Sequence, residues 1–146
     1  MPEQACQEKA GTTAHVFHFS AHAVIPDADH RVLALESSNS KIKGWLLPGG
    51  GIEPGETVHE ALRRECREEL AISVEPICLT GIYYHAFNNS QVVIFRCAPV
   101  DFGAIVLSAE HKRYELVSPS DLAPRQRLRV ADALGFDGRV VARAFE

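Results

Sequence analysis

The amino-acid sequence predicts a single domain of mixed α/β class, a sandwich of helices and sheet. A helix pattern lies between runs of β-branched and aromatic residues, an order that is typical of such folds. The chain has 146 residues, of which 46% are apolar and 23% are charged, as in ordinary globular domains. We assign residues 1–13 to a flexible N-terminal segment and residues 14–146 to the domain.

The charge balance and the cysteines limit the function classes. A net charge of −4 argues against a protein that coats nucleic acid or binds an anionic membrane. A small phosphorylated substrate is compatible with this negative charge, because a bound divalent cation can supply the positive charge that is missing. The polar residues 1–11 predict no secretory signal, and no apolar run approaches the about 20 residues of a membrane span. The four cysteines form no C-x-x-C pair, so we predict reduced thiols and a cytoplasmic location, with a homodimer as one option for assembly.

Strand and turn signals fill the first part of the chain. Residues 14–25 carry the β-branched and aromatic pattern of a strand, and residues 31–35 carry a second one. Because a Pro-Asp-Ala-Asp turn at residues 26–29 separates them, we predict a hairpin. The next signals are a polar loop at residues 37–43, a short strand at 45–47 and a glycine-rich loop at 49–55.

The clearest helix pattern spans residues 57–70. Thr57 and Glu60 fit a capping box, in which each side chain accepts a hydrogen bond from the backbone N–H of the other residue. Residues 118–134 also carry helix signals, with Ser120 as a candidate N-cap and an interruption at Pro124. Between the two helices we predict strands at residues 72–79, 82–85 and 91–97, the last two joined through residues 88–90.

The helix at residues 57–70 carries an acidic patch beside its buried face. The apolar ridge that must face the core consists of Val58, Leu62, Cys66 and Leu70, which stand four residues apart. Glu65, Glu68 and Glu69 lie together next to this ridge, because positions three and four apart are neighbours on a helix. A hard divalent cation such as Mg²⁺ would offset their mutual repulsion. A solvated glutamate-rich face is the other interpretation.

The glycine-rich loop before the helix favours the metal interpretation. Residues 50–57 read G-G-I-E-P-G-E-T and have the glycine spacing of a phosphate-binding P-loop, but Glu56 stands where that loop needs lysine. Pro54 likewise breaks the glycine pattern of a dinucleotide-binding turn. The loop therefore delivers a further carboxylate, Glu56, and backbone carbonyls that can complete an oxygen cage for a metal ion.

Together these residues resemble the signature box of the Nudix hydrolases. The match covers 23 of the 146 residues: Gly50, five residues, Glu56, seven residues, then Arg64-Glu65-Cys66-Arg67-Glu68-Glu69-Leu70-Ala71-Ile72. The sequence departs from the family pattern at two positions. Cys66 stands for an aliphatic residue and packs as a small hydrophobe. Ala71 replaces the last glycine, which strains the helix exit if the backbone there is left-handed.

The resemblance implies an α/β/α sandwich with a mixed sheet. It also implies metal-dependent hydrolysis of a phosphoanhydride bond in a nucleoside diphosphate linked to another moiety, by water attack at phosphorus. The implied partner is a small nucleotide-like diphosphate, and the implied cofactor is Mg²⁺ or Mn²⁺. The implied metal ligands are Glu65, Glu68, Glu69 and the Gly50 carbonyl, and the implied catalytic residues are Glu68, Glu65, Arg64 and Glu56.

Arg64 would orient the glutamates through salt bridges, and Glu56 would support the loop or bind the metal through water. Glu110 resembles a later acidic position of the family, which serves as general base or as an extra ligand. A surface glutamate in a turn is the other interpretation of Glu110.

Aromatic residues and histidines give weaker signals. Trp45 and Tyr84 are candidates for stacking on a base of the substrate, together with Tyr83 and Phe87, although core and sheet positions explain these residues as well. The histidines at positions 15, 18 and 22 do not share one face of a strand, which disfavours a histidine-ligated metal.

Two other functions stay open on the sequence alone. One is hydrolysis of a non-nucleotide diphosphate, and the other is a Nudix-fold module that binds a nucleotide as ligand or regulator without catalysis. The presence of Arg64 with Glu65, Glu68 and Glu69 favours catalysis, because a pure binding module has no need for a metal-loading face.

Overall fold

The computed structural model describes residues 16–146, so the predicted flexible segment at residues 1–13 lies outside the described residues. The described chain contains two α-helices, α1 (Val58–Leu70) and α2 (Pro124–Leu134). The strands, in chain order, are β1 (His18–Val24), β2 (Val32–Ser37), β3 (Trp45–Leu46), β4 (Gly49–Gly51), β5 (Pro76–His85), β6 (Ser90–Cys97), β7 (His111–Val117) and β8 (Val141–Phe145).

The strands form two sheets. The larger sheet has the order β4-β1-β6-β5-β8 and is mixed, because β1–β6 and β5–β8 are parallel whereas β1–β4 and β5–β6 are antiparallel. The smaller sheet has the order β3-β2-β7 and is antiparallel. The predicted α/β class with a mixed sheet is confirmed.

The two helices cover two separate hydrophobic cores. The core of α1 contains Leu62, Cys66 and Leu70 of the predicted ridge, all fully buried. The core of α2 contains Val130 and Ala133. Alternate residues of β2 enter the two cores, since successive side chains of a strand point to opposite faces: Leu33 and Leu35 enter the first, Val32 and Ala34 the second. The strands therefore lie between the helices, as the α/β/α sandwich requires.

The predicted hairpin of residues 14–35 is wrong. The chain does turn there, because the Asp27 carboxylate accepts hydrogen bonds from the backbone N–H groups of Asp29 and Arg31. Beyond a bridge between Pro26 and Val32, however, β1 pairs within the larger sheet and β2 within the smaller one. The last residues of β1, Ala23 and Val24, and the first of β2, Val32 and Leu33, are fully buried. A two-stranded hairpin leaves both of its faces uncovered, so each strand gains by joining a larger sheet.

Other elements differ from the prediction in local ways. The first three glycines of the predicted loop form strand β4 against β1. Pro124 begins α2 instead of interrupting it, because the first helical position needs no N–H donor, and Ala123 rather than Ser120 is the N-cap. The strands predicted at residues 72–79 and 82–85 are one bulged strand, β5, which begins at Pro76. Strands β7 and β8 have no counterpart in the prediction.

Cys66, Cys78 and Cys97 are free thiols, and Cys6 lies outside the described residues. Burial raises the pKa of the Cys66 and Cys97 thiols, which makes both poor nucleophiles. Within residues 16–146, no helix combines the length and the apolar character that crossing a membrane requires.

Candidate active site

The start of helix α1 is fixed by the predicted capping box. The Thr57 hydroxyl accepts a hydrogen bond from the Glu60 backbone N–H at 3.2 Å, and the Glu60 carboxylate accepts one from the Thr57 N–H at 2.9 Å. The cap fixes where the helix begins, and burial of the ridge from Leu62 to Leu70 in the core sets its rotation. The three glutamates beside the ridge follow from that rotation.

Those glutamates differ sharply in burial. The Glu69 side chain is 5% exposed, the Glu65 side chain 16% and the Glu68 side chain 59%. Burial raises the pKa of Glu69 to about 8, with further contributions from the negative charges of Glu65, Glu110 and Glu68. Burial also raises the pKa of Glu65. The protein thus holds carboxylates where a positive charge would lower their energy.

Arg64 is the cation that holds this cluster together. Its Nε donates to Glu56 at 2.7 Å, its Nη1 donates to Glu65 at 3.0 Å and to Glu68 at 3.3 Å, and its Nη2 donates to the Gly51 carbonyl at 2.9 Å. Hydrogen bonding from Arg64 lowers the pKa of Glu56. Arg64 therefore joins the glycine segment to the acidic face of α1.

Glycine is required where strand β4 approaches the cluster. A Cβ on Gly50 would lie 2.5 Å from Cδ of Glu65, and a Cβ on Gly49 would lie 2.1 Å from the carbonyl oxygen of Ala21. Gly49 also has a φ of 141° and donates its N–H to Glu69 at 3.4 Å. The backbone of β4 can therefore lie directly against the carboxylates only because side chains are missing there.

A cavity of about 490 Å³ opens beside these residues, and we call it the glutamate cavity. Its carboxylates are Glu65, Glu69 and Glu110, so the structure brings the candidate general base to the same space as two of the candidate metal ligands. His111 also lines the glutamate cavity, with its Nε2 3.4 Å from a Glu69 oxygen. Burial lowers the pKa of His111, which favours its neutral form. Sequence analysis missed His111. The signal available was that His111 directly follows Glu110, which was already a candidate site residue.

The donor set suits a hard divalent cation, since it consists of carboxylate and carbonyl oxygens. As the side chains stand, no three His, Cys, Asp or Glu residues of the described chain converge closely enough to hold an ion. The cause is visible in the contacts: Arg64 holds Glu65 and Glu68, while Glu69 accepts from the Gly49 N–H. Metal binding therefore needs rotation of glutamate side chains, and the exposed Glu68 must leave its contact with Arg64 to make it.

A second cavity has a volume of about 450 Å³, and Leu46 lines both cavities. Trp45 lines this second cavity, and its role near a substrate base stays a prediction. Tyr84 is placed elsewhere, since it lies on the opposite face of β5 from His85 and its hydroxyl donates to Asn89 at 3.3 Å. Sequence analysis also missed Arg129 and His85, which line this cavity. The signal available for Arg129 was its position four residues before the buried Ala133, which places both residues on the same face of α2.

Comparison with known proteins gives consistent matches. The NUDIX domain family model matches residues 16–135. A MutT-like protein of Streptomyces ambofaciens is 30% identical over 132 residues, covering 88% of this chain and 84% of that protein. The nucleoside triphosphatase NudI of Escherichia coli O1:K1 is 34% identical over 113 residues, covering 62% of this chain and 77% of that protein.

Among solved structures, the MutT protein from Methanosarcina mazei Go1 superimposes with a TM-score of 0.67 at 24% identity. The superposition covers 88% of this chain and all of the other. At that level of identity, the likeness concerns the fold alone.

Proposed function

This chain belongs to the Nudix hydrolase family as a pyrophosphohydrolase, and on that premise we propose that it uses a divalent metal ion to hydrolyse a nucleoside diphosphate linked to another moiety. The observation that carries the proposal is the glutamate cavity, where Glu65, Glu69 and Glu110 face one another beside the Arg64 cluster. Three carboxylates cannot hold a diphosphate without a cation between them.

The residues take distinct roles in this proposal. The metal ligands are Glu65, Glu68, Glu69 and the Gly50 carbonyl. Arg64 holds the carboxylates in place through its fork of N–H donors, and Glu56 fixes Arg64 from the other side. The ion, Mg²⁺ or Mn²⁺, supplies positive charge against the diphosphate and activates water.

The chain's own residues then complete the reaction. A water oxygen bonds to one phosphorus, the bridging P–O bond breaks, and the bridging oxygen leaves with the other phosphorus. The proton of the attacking water passes to a carboxylate, and Glu110 is the candidate because it lines the glutamate cavity together with two of the proposed metal ligands, Glu65 and Glu69.

Nucleoside triphosphates are the first substrates to test, because one relative is named a nucleoside triphosphatase and a triphosphate is a nucleoside diphosphate linked to phosphate. A screen should add dinucleoside polyphosphates, nucleotide sugars and non-nucleotide diphosphates, each with Mg²⁺ or Mn²⁺ and with product identification. Excess EDTA should abolish turnover and Mg²⁺ should restore it. Full activity in EDTA, or no turnover of any compound, contradicts the proposal; the second outcome is the one that a pure binding module gives.

The sharpest test of the acidic face is Glu68→Gln. It removes one charge and keeps the shape, so the chain should fold, whereas turnover under saturating metal should fall by about 10²-fold or more. Glu115→Gln is the matched control, because Glu115 is an exposed residue of β7 outside the glutamate cavity. If both variants turn over as fast as the unchanged protein, helix α1 does not carry the metal face.

A further inference from the structure

Helix α1 covers only part of its side of the larger sheet. Ala21 of β1 and Val93 of β6 belong to the core under this helix. The same side of the sheet continues onto β5 and β8, because Val93 pairs with Ile82 and Ile82 pairs with Ala142. Ile82 and Ala142 are both exposed, so α1 does not reach them. Helix α2 packs against the opposite side, where Tyr83 lies.

The uncovered side carries an apolar patch, and we call it the sheet patch. One row of the sheet patch crosses β1, β6, β5 and β8 through the paired residues Phe19, Gln91, Tyr84 and Ala144. Phe17, directly before β1, is 57% exposed, Phe19 is 39% exposed and Ile82 is 36% exposed. A contiguous exposed apolar surface of this kind marks an interaction site. The members of the sheet patch, none of them charged, are Phe17, Phe19, Ile82, Tyr84, Gln91, Ala142 and Ala144.

Hydrogen bonds hold the start of β1 beside the sheet patch. The carbonyl of Asn89 accepts from the His18 N–H at 3.2 Å, and its Nδ2 donates to the Val16 carbonyl at 2.8 Å. The Tyr84 hydroxyl donates to Oδ1 of the same asparagine at 3.3 Å. Phe17 lies between the two residues that Asn89 holds, so its side chain is kept exposed next to Tyr84. Tyr84 itself lines neither of the two cavities described above.

Charge and composition favour a second copy of this chain as the occupant of the sheet patch. Residues 1–15 precede it in sequence but contain no Val, Ile, Leu, Phe, Tyr or Trp, so they offer little apolar surface to bury against it. The net charge of −4 disfavours an anionic membrane as the occupant. An uncharged patch can meet its own copy without the repulsion that like charges would produce.

The shape of the sheet patch also suits contact with itself. Its large side chains lie on β1 and β5, whereas both exposed positions of β8 are alanines. In a twofold contact, residue i meets residue j of the partner and residue j meets residue i. The phenylalanines of β1 can therefore pack over the alanines of the partner's β8, large against small, at both ends of the contact.

We propose that the sheet patch is the interface of a twofold-symmetric homodimer of this chain. No residue of the sheet patch lines either cavity, so each chain keeps its own complete set of cavity residues in the dimer. The inference concerns a surface outside the proposed active site and does not depend on the proposed hydrolysis.

Sedimentation velocity on the full chain, without metal or substrate, tests the dimer. The average mass should rise with concentration and approach twice the mass of one chain between about 1 and 100 μM, the range of a moderate association. A chain that stays monomeric at about 100 μM overturns the inference, because the sheet patch is then left to a different partner.

Ala144→Lys tests the location of the interface. Ala144 is exposed in β8, so the monomer should fold, whereas the dimer would bury a lysine without a counter-charge in each half of the contact. Its dissociation constant should rise by about 100-fold or more. Phe17→Ser removes exposed apolar surface from the other end of the sheet patch and should raise the dissociation constant by about tenfold or more.

Ala131→Lys is the matched control, because Ala131 is an exposed residue of α2, on the opposite side of the sheet. It should dimerise like the unchanged chain. A dimer that survives both Ala144→Lys and Phe17→Ser, or that Ala131→Lys weakens equally, overturns the inference. If Ala144→Lys does not fold, Phe17→Ser decides. Since the dimer is measured without substrate, a failure here leaves the proposed hydrolysis standing, and a failure of hydrolysis leaves a measured dimer intact.

Discussion

At the scale of single residues, Ala71 holds the exit of α1 in a left-handed conformation, with φ 55° and ψ 28°. This conformation costs a residue with a Cβ about 1–2 kcal/mol, while glycine costs about 0.4–1 kcal/mol through its greater freedom in the unfolded chain. The Ala71 side chain is exposed, so its removal loses no packing. We expect Ala71→Gly to raise the free energy of unfolding by about 0.5–1 kcal/mol in a urea titration.

Ala131→Gly is the matched control, because Ala131 is an exposed residue inside α2 with ordinary helical backbone. The same chemical change should there lower the free energy of unfolding by about 1 kcal/mol. Changes of the same sign in both variants would show that the backbone at Ala71 is not strained. The replacement of glycine was visible in the sequence, but the left-handed backbone that gives it a consequence was not.

Other site residues also divide into those that the sequence could place and those that it could not. Glu65 and Glu69 could be placed beside the core from helix periodicity, because the ridge of α1 fixes their angle. His111 and Arg129 could not, because each reaches its cavity from an element distant in sequence. Their roles depend on which strand lies beside which, and a local pattern carries no such information.

At the scale of elements, local signals in the sequence predicted structure correctly, whereas the pairing of strands distant in sequence was not predicted. Helix α1 was predictable because its capping box and its apolar spacing lie within the helix itself. Strand β7 was missed because charged residues occupy its exposed positions, although Tyr114 and Leu116 alternate with them. The hairpin error has the same origin, since the separation of β1 and β2 depends on the distant partners β6 and β7.

One ion pair joins three elements and gives a pH-dependent prediction. The Asp132 carboxylate of α2 accepts a hydrogen bond from the Tyr83 hydroxyl of β5 at 2.7 Å and two from Arg143 of β8 at 2.8 Å each. Asp132→Asn should lower the free energy of unfolding at neutral pH by about 1.5–2 kcal/mol. This is the lower part of the range for hydrogen bonds to a charged group, because Arg143 reaches solvent.

The sign of the pH dependence follows from the carboxyl group. Hydrogen bonding from Arg143 lowers the pKa of Asp132, so its stabilisation is complete above the ordinary carboxyl pKa of about 3.9 and is lost as the pH falls through the folded value. Urea titrations from pH 7 to pH 3 should show the difference between the two proteins shrinking below about pH 4. Asp29→Asn is the control, because Asp29 is an exposed turn residue. If the difference in the free energy of unfolding between the unchanged protein and Asp132→Asn widens in acid, the role of Asp132 is contradicted.

At the scale of the whole molecule, the glutamate cavity exists because separate parts of the chain meet. Glycines of β4, glutamates of α1 and residues at the start of β7 line it together, and the pairing of β2 with β7 brings the last of these into place. The sandwich was predictable because the sequence resembles a family whose fold is known. The position of Leu46 in the lining of both cavities depends on packing and was not predictable.

Metal binding should appear in the stability of the whole chain. A ligand that binds only the folded state stabilises it by about 2.7 kcal/mol at one hundred times its dissociation constant, and each kcal/mol raises Tm by about 2–4 °C in a chain of this length. Saturating Mg²⁺ or Mn²⁺ should therefore raise Tm by about 5–10 °C in a calorimetric scan, reversibly with EDTA. Glu68→Gln should gain less because a ligand is lost, whereas Glu115→Gln should gain as much as the unchanged chain. A Tm that neither ion changes would mean that the fold brings these carboxylates together without binding a metal between them.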